Sequence, residues 1–360
     1  MSYFSKSNYH SALEDNNNID KKSFPKPFWI LWFIELWERF GFYGMQAIII
    51  LYFVKNLGFS SKESFYIFGS FSAFCYGFVW IGGLIGDQYL GAKRTLLLGV
   101  SILIISYVFI SISTKETIFY GLSGIIIGNA IFKANPSSLI AKVYATDSAR
   151  LDGAMMLYYV AINIGSLIAS FIIPMIAQTY NWHYAFLICA TGLSIGSLFF
   201  LLHLTKLDQI ATQAGKEPLK LMRLFKVLIA VCFLVYVIAN ILIFTALIAT
   251  LSVFITSLCF IYFIYKAFKL PNEQRNRMLI ALILMIQAVM FFALYQQMPT
   301  SLTLFIEHSV DRHIGLFLIP SAQFQLLNPF FILIMAPFLG FIFKRFPGSH
   351  ATKFCFGMTL

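Results

Sequence analysis

The sequence predicts an all-α integral membrane protein, and three observations carry that prediction: an apolar composition, recurring apolar stretches of spanning length, and basic linkers that alternate along the chain. Of the 360 residues, 59% are hydrophobic and 11% are charged, with a mean hydropathy of +0.79. Soluble domains carry about 25% charged residues, so a bilayer is the only solvent that suits most of this chain. A helix of about 20 apolar residues crosses a hydrocarbon core of about 30 Å. Spans are expected at 28–54, 62–88, 95–113, 117–144, 153–178, 182–205, 221–242, 244–268, 278–306 and 322–346. A further one is expected to begin near the C-terminus, at Phe354 to Leu360.

Residues 1–27 form a polar, Asn-rich leader that ends near Lys21, Lys22, Pro25 and Pro27. The leader lacks the apolar core and small-residue cleavage site of a signal peptide, so it reads as a disordered cytoplasmic tail. Linkers bearing Lys93 and Arg94, Lys142 to Arg150, Lys206 to Lys226, Lys266 to Arg277, and Lys344 and Arg345 alternate with Lys-poor ones. Basic linkers stay on the cytoplasmic side, which orients the chain in an inner (plasma) membrane with its N-terminus inside. That sign is kept only if 221–242 and 244–268 form a tight hairpin, inserted between two halves. The net charge of +11 is spread over these short clusters rather than along one stripe, so nucleic acid is not an expected partner. Cys75, Cys189, Cys232, Cys259 and Cys355 stand singly in apolar stretches, without metal or disulfide spacing.

The first span holds what lipid excludes. Glu35, Glu38 and Arg39 lie in its middle, and each charge at that depth costs about 2.5–3.5 kcal/mol on insertion scales. With Phe42, Tyr43 and Gln46 they follow helical spacing along one stripe, which must face protein or water. A bare ion pair tying two helices would be balanced, whereas one arginine cannot neutralise two carboxylates. Either a second cation approaches or one glutamate exchanges protons. Lys133, inside the span that contains Asn129 and Asn135, is the candidate cation. His183 and His203 sit near span ends and His308 and His313 in a linker, so the expected proton carrier is Glu35 or Glu38.

The run Glu35-Leu-Trp-Glu38-Arg39-Phe-Gly-Phe-Tyr43 resembles the E-x-x-E-R-F-x-Y-Y signature of the proton-dependent oligopeptide transporter (POT) family. Three further stretches match in order: Gly83 to Arg94, Phe132 to Ser138, and Tyr158 to Ser166. Gln46, Phe132 to Ser138 and Leu294 to Leu302 are most similar to the bacterial dipeptide/tripeptide permease branch. The resemblance runs from about residue 28 to the end and implies the major facilitator superfamily fold, with a site between two six-helix halves. On that basis 28–205 is the N-terminal six-helix bundle, 206–277 a cytoplasmic linker with the inserted hairpin, and 278–360 an incomplete C-terminal bundle. The chain would then stop early in the ninth core span, without the later acidic residue that meets a peptide's amino group.

The family likeness implies proton-coupled symport of di- and tripeptides, with no cofactor beyond the proton gradient. It implies that Arg39 and Lys133 hold the peptide carboxylate, while Tyr43, Tyr76, Asn163, Gln296 and Asn328 surround the peptide backbone. Each of these hydroxyls and amides serves equally as a helix–helix hydrogen-bond partner. Asp87, Lys93 and Arg94, in the motif shared across facilitators, are expected to latch the cytoplasmic side. Two departures stand out: Phe42 replaces a tyrosine, and Gln46 replaces an arginine, the latter shared by the permease branch. Three alternatives remain: a facilitator for another solute, a transport-inactive truncated fragment, and an enzyme built on Gly121-Leu-Ser123-Gly124 or Gly192-Leu-Ser194-Ile-Gly196. No histidine lies at the depth of either serine to act as base, so no enzyme is expected.

Overall fold

The computed structural model describes residues 24–345, apart from Thr146 and Ala211, together with Gly357. Most of the expected tail, the C-terminal span and Cys355 lie outside the described residues. Helix α1 (Lys26–Lys55) opens with proline in its first turn, where a missing N–H costs nothing. Helix α2 (Ser61–Gly77) is started by a capping box, in which the Ser60 hydroxyl accepts from the Glu63 amide and the Glu63 carboxylate accepts from the Ser60 amide. A short α3 (Val79–Leu84) and a π turn (Ile85–Tyr89) follow. Gly91, at φ +86°, then turns the chain into α4 (Ala92–Ser111). Next come α5 (Ile118–Val143), α6 (Ser148–Thr179), capped by Asp147, and α7 (Trp182–Leu202), capped by Asn181.

A 3₁₀ turn (Leu204–Ile210) and a single helical turn α8 (Gln213–Lys216) lead to the hairpin α9 (Leu221–Leu242) and α10 (Thr245–Phe268). Beyond it stand α11 (Asn272–Tyr295), a π turn (Met298–Leu302) and α12 (Thr303–Ser309). A two-stranded hairpin of β1 (His313–Ile314) and β2 (Phe317–Leu318) precedes a 3₁₀ turn (Ser321–Leu326) and α13 (Leu327–Arg345).

The ten expected spans are all helical, with two corrections to their continuity. The stretch 62–88 breaks at Phe78 and ends in a π turn, beside which Asn135 Nδ2 donates to the Gly82 carbonyl at 3.3 Å. The stretch 278–306 breaks after Tyr295, where Pro299 lacks the N–H needed to continue the ladder. His308 therefore lies in α12 rather than in a linker. The β-hairpin was not expected: two residues per strand carry no readable alternation.

Eight described helices are long and apolar enough to cross a membrane. The two long helices outside that set are α1 and α5, the ones with the polar residues, and both sit inside the bundle with most of their length buried. Helix α1 packs on α6 and α7, and α4 packs on α5 and α7. The pair α9 and α10 lies against this bundle, α9 on α5 and α10 on α2, with Ser70 Oγ reaching the Thr245 carbonyl. Phe254, Leu258 and Ile261 on α10 are exposed, as a lipid-facing surface requires.

Candidate functional site

Helix α1 carries its three charges into the interior: Glu35, Glu38 and Arg39 are 2%, 0% and 5% exposed. Arg39 Nε donates to Glu35 Oε1 at 2.8 Å. The same nitrogen lies 2.7 Å from Glu38 Oε2, within ion-pair distance but without hydrogen-bond geometry. A single guanidinium edge thus faces two carboxylates. Among the described residues, the Nη groups of Arg39 make no hydrogen bond, so its two-pronged end is unused by protein. Its carbon lies 5.7 Å from the Phe42 ring centroid, so the aromatic that stands in for a tyrosine supports the cation with its face.

Helices α5 and α6 complete the surroundings. Asn129 Nδ2 donates to Glu38 Oε1 at 3.3 Å, and Tyr158 lies against Glu35. Gly165 on α6 makes this possible, because a Cβ there would overlap the Leu36 carbonyl and crowd Arg39 Cβ. Lys133 comes within electrostatic range of Glu35, Glu38 and Arg39, yet its ammonium rests 4.1 Å from the centroid of the Tyr76 ring. Two cations and two acids therefore share one buried region, with Lys133 parked on an aromatic face rather than on a carboxylate.

The remaining expected residues divide. Tyr43 and Tyr76 come within electrostatic range of each other and of Tyr295 on α11. Gln296 lines a cleft of about 560 Å³ between α2 and the α11 end, and its buried Oε1 has no partner among the described residues. Asn163 spends its Nδ2 on the Tyr159 carbonyl of its own helix, at 2.8 Å. Asn328 is half-buried at the start of α13, which packs on α6.

The expected latch is not one cluster. Lys93 pairs with Asp208 of the 3₁₀ turn, and Arg94 donates to the Leu90 and Glu217 carbonyls. Asp87 stands exposed in the π turn and makes no ion pair among the described residues.

Sequence reasoning missed three features. Asn129 sits four residues before Lys133, on the same helix face, so its spacing was a usable signal. Tyr158 and Tyr295 lie inside stretches that carry the family resemblance, but nothing in the sequence set either apart as a site residue. The third is a charge cluster at the far end of α1, where Glu307 bridges Lys55 at 2.5 Å and Arg312 at 3.1 Å. Beside it, Gln178 donates to the Leu318 carbonyl, Gln323 to that of Phe171 and Gln325 to that of Ala47, sealing this end between the halves. At the other end α11 has no buried residue.

The serine runs that raised an enzyme have packing roles. Ser123 and Ser194 donate to the Phe119 and Ala190 carbonyls of their own helices. Gly192 and Gly196 receive Phe40 and Trp37 of α1.

A model of the POT family matches residues 93–360. A dipeptide and tripeptide permease B of Xenorhabdus bovienii is 42% identical over 344 residues, covering 93% of this chain and 70% of that protein. The protein of the same description from Salmonella typhimurium is 40% identical over 347 residues, with the same coverage of 93% and 70%. Among solved structures, a bacterial homologue of the human drug peptide transporters PepT1 and PepT2 superposes with a TM-score of 0.81 at 33% identity, covering 88% of this chain and 71% of that one. Tetrameric PepTSo2 gives a TM-score of 0.82 at 33% identity, covering 92% and 72%. The facilitator-type fold expected from the sequence is thereby met.

Proposed function

The chain belongs to the POT family, whose members are transporters, and from that membership we propose that it carries di- and tripeptides together with protons across the inner membrane. The N-terminus lies in the cytoplasm on this reading, as the distribution of basic linkers requires. The observation that carries the proposal is the single Arg39 edge held between two buried carboxylates, with its Nη fork unused.

While both carboxylates are charged, Arg39 is bound on its Nε side and its attraction for another anion is offset. A proton on Glu35 or Glu38 removes one of those partners, and the cation then prefers a peptide's C-terminal carboxylate, which its fork can grip in a bidentate way. Lys133 swings from the Tyr76 ring to supply the second charge. Tyr43, Tyr76, Asn163, Gln296 and Asn328 serve the peptide backbone, whose donors and acceptors are the same whatever the side chains. The proton gradient is the only driving force; no cofactor takes part. Bilayer lipid is the protein's other partner. Lys93, Arg94 and Asp87 act at the cytoplasmic side, with Asp208 rather than Asp87 as the acid that holds Lys93.

Uptake of a labelled dipeptide into proteoliposomes with an imposed proton gradient tests this reading. Lys133→Ala and Glu38→Gln are each expected to abolish gradient-driven uptake. Unchanged uptake in either variant contradicts the assignment.

A further inference from the structure

The inserted helix α9 does not close fully on the bundle. Between α9, α5 and the π turn lies a cavity of about 610 Å³, walled by Ile81, Ile127 and Leu234 and bearing Arg223 and Lys226. A second cavity, of about 360 Å³, lies on the other side of Val231, between Gly124 and Tyr236. From Arg223 to Leu234 the helix rises about 16 Å, enough to take an acyl chain through one leaflet of a core about 30 Å thick. The crevice is therefore basic at one end and apolar for the rest of its length.

The basic end is anchored. Arg94 of α4 donates to the Glu217 carbonyl at 3.0 Å, and the Glu217 carboxylate accepts from Arg223 Nη1 at 2.9 Å. This link fixes the guanidinium beside the cavity and engages one of its five N–H groups. Lys226 is exposed one turn further on. A small free anion would satisfy the two cations but leave the apolar walls unfilled. A neutral lipid would fill the walls but leave the basic end with a net positive charge, since Glu217 offsets only one of the two cations. Basic pockets between transmembrane helices on the cytoplasmic side match the head groups of anionic lipids.

We propose that this crevice binds one anionic glycerophospholipid, its phosphate at Arg223 and Lys226 and an acyl chain laid along α9 towards Leu234. The cytoplasmic placing of the head group rests on the orientation proposed above, while the pairing of charge and groove does not. The lipid would join the inserted hairpin to the bundle across a gap that side chains leave open.

Native mass spectrometry of the full chain in detergent, titrated with phosphatidylglycerol or phosphatidylcholine, reads the binding directly. The expected result is one phosphatidylglycerol retained per chain in preference to phosphatidylcholine, with an excess of glycerol 3-phosphate failing to displace it. The variant R223Q/K226Q should weaken retention about thirtyfold, since each lost cation removes most of a tenfold step or more. Leu234→Trp, which fills the groove and leaves the charges, should also reduce retention. Equal retention of the two lipids by the unaltered chain, displacement by glycerol 3-phosphate, or binding that neither variant changes would each overturn the proposal. The first two readings need no variant, so a substitution that fails to fold leaves the test decisive.

Discussion

At position 165 there is room for a hydrogen and nothing larger, and the charged stripe of α1 depends on that. A methyl group would meet the Leu36 carbonyl, a backbone atom that cannot swing aside, and push α1 away from α6 where Glu35 and Arg39 face it. Gly165→Ala is expected to destabilise the protein by about 1–3 kcal/mol, the usual range for overpacking. Thermal unfolding in detergent measures it. A variant as stable as the parent would show that the two helices separate freely and do not hold the acids in place. Asn129 acts on the same site by chemistry rather than shape, since its amide is the donor that Glu38 Oε1 receives. Asn129→Leu leaves that buried oxygen unpaired at a cost of about 1–3 kcal/mol, and gradient-driven dipeptide uptake should fall with it. Uptake equal to the parent's would separate Asn129 from the coupling.

Among the elements, the sealed end rests on one acid with two cations. Glu307 and Arg312 are largely covered, with side chains 13% and 10% exposed, while Lys55 is 45% exposed. Removing Lys55 therefore costs little, under about 1 kcal/mol, because solvent already screens that pair. Removing the acid leaves a covered arginine without its partner, so Glu307→Gln should cost about 2–3 kcal/mol more than Lys55→Ala. Unfolding of the two variants side by side checks the order, and equal losses would contradict it. Sequence could announce the helices but not this seal. Spans follow from apolar length, and the buried stripe of α1 follows from charges at helical spacing, because lipid penalises both errors heavily. The seal joins Lys55 to Glu307, and Ala47 to Gln325, across hundreds of residues with no periodicity to link them. The break at Phe78 was likewise hidden inside an apolar run whose hydropathy does not change there, whereas Pro299 was a visible breaker that apolar length alone passes over. Lys133 was legible as a buried cation, whereas its rest on Tyr76 needed coordinates.

Seen across the whole molecule, the polar helices α1 and α5 occupy the middle and the apolar ones face lipid, so the bundle shields a charged centre that no single span could carry. Two acids and two cations then form a set whose pairings respond to either a proton or a carboxylate. On the function proposed above, proton coupling follows from that competition. A protein that rearranges in this way must lose energetic coupling, but not passage itself, when the proton-carrying acid is made permanently neutral. Dipeptide counterflow, which needs no gradient, and gradient-driven accumulation, measured together on Glu35→Gln and Glu38→Gln in proteoliposomes, distinguish the two. At least one of these variants is expected to retain counterflow while losing accumulation. Accumulation preserved in both would contradict proton coupling through α1.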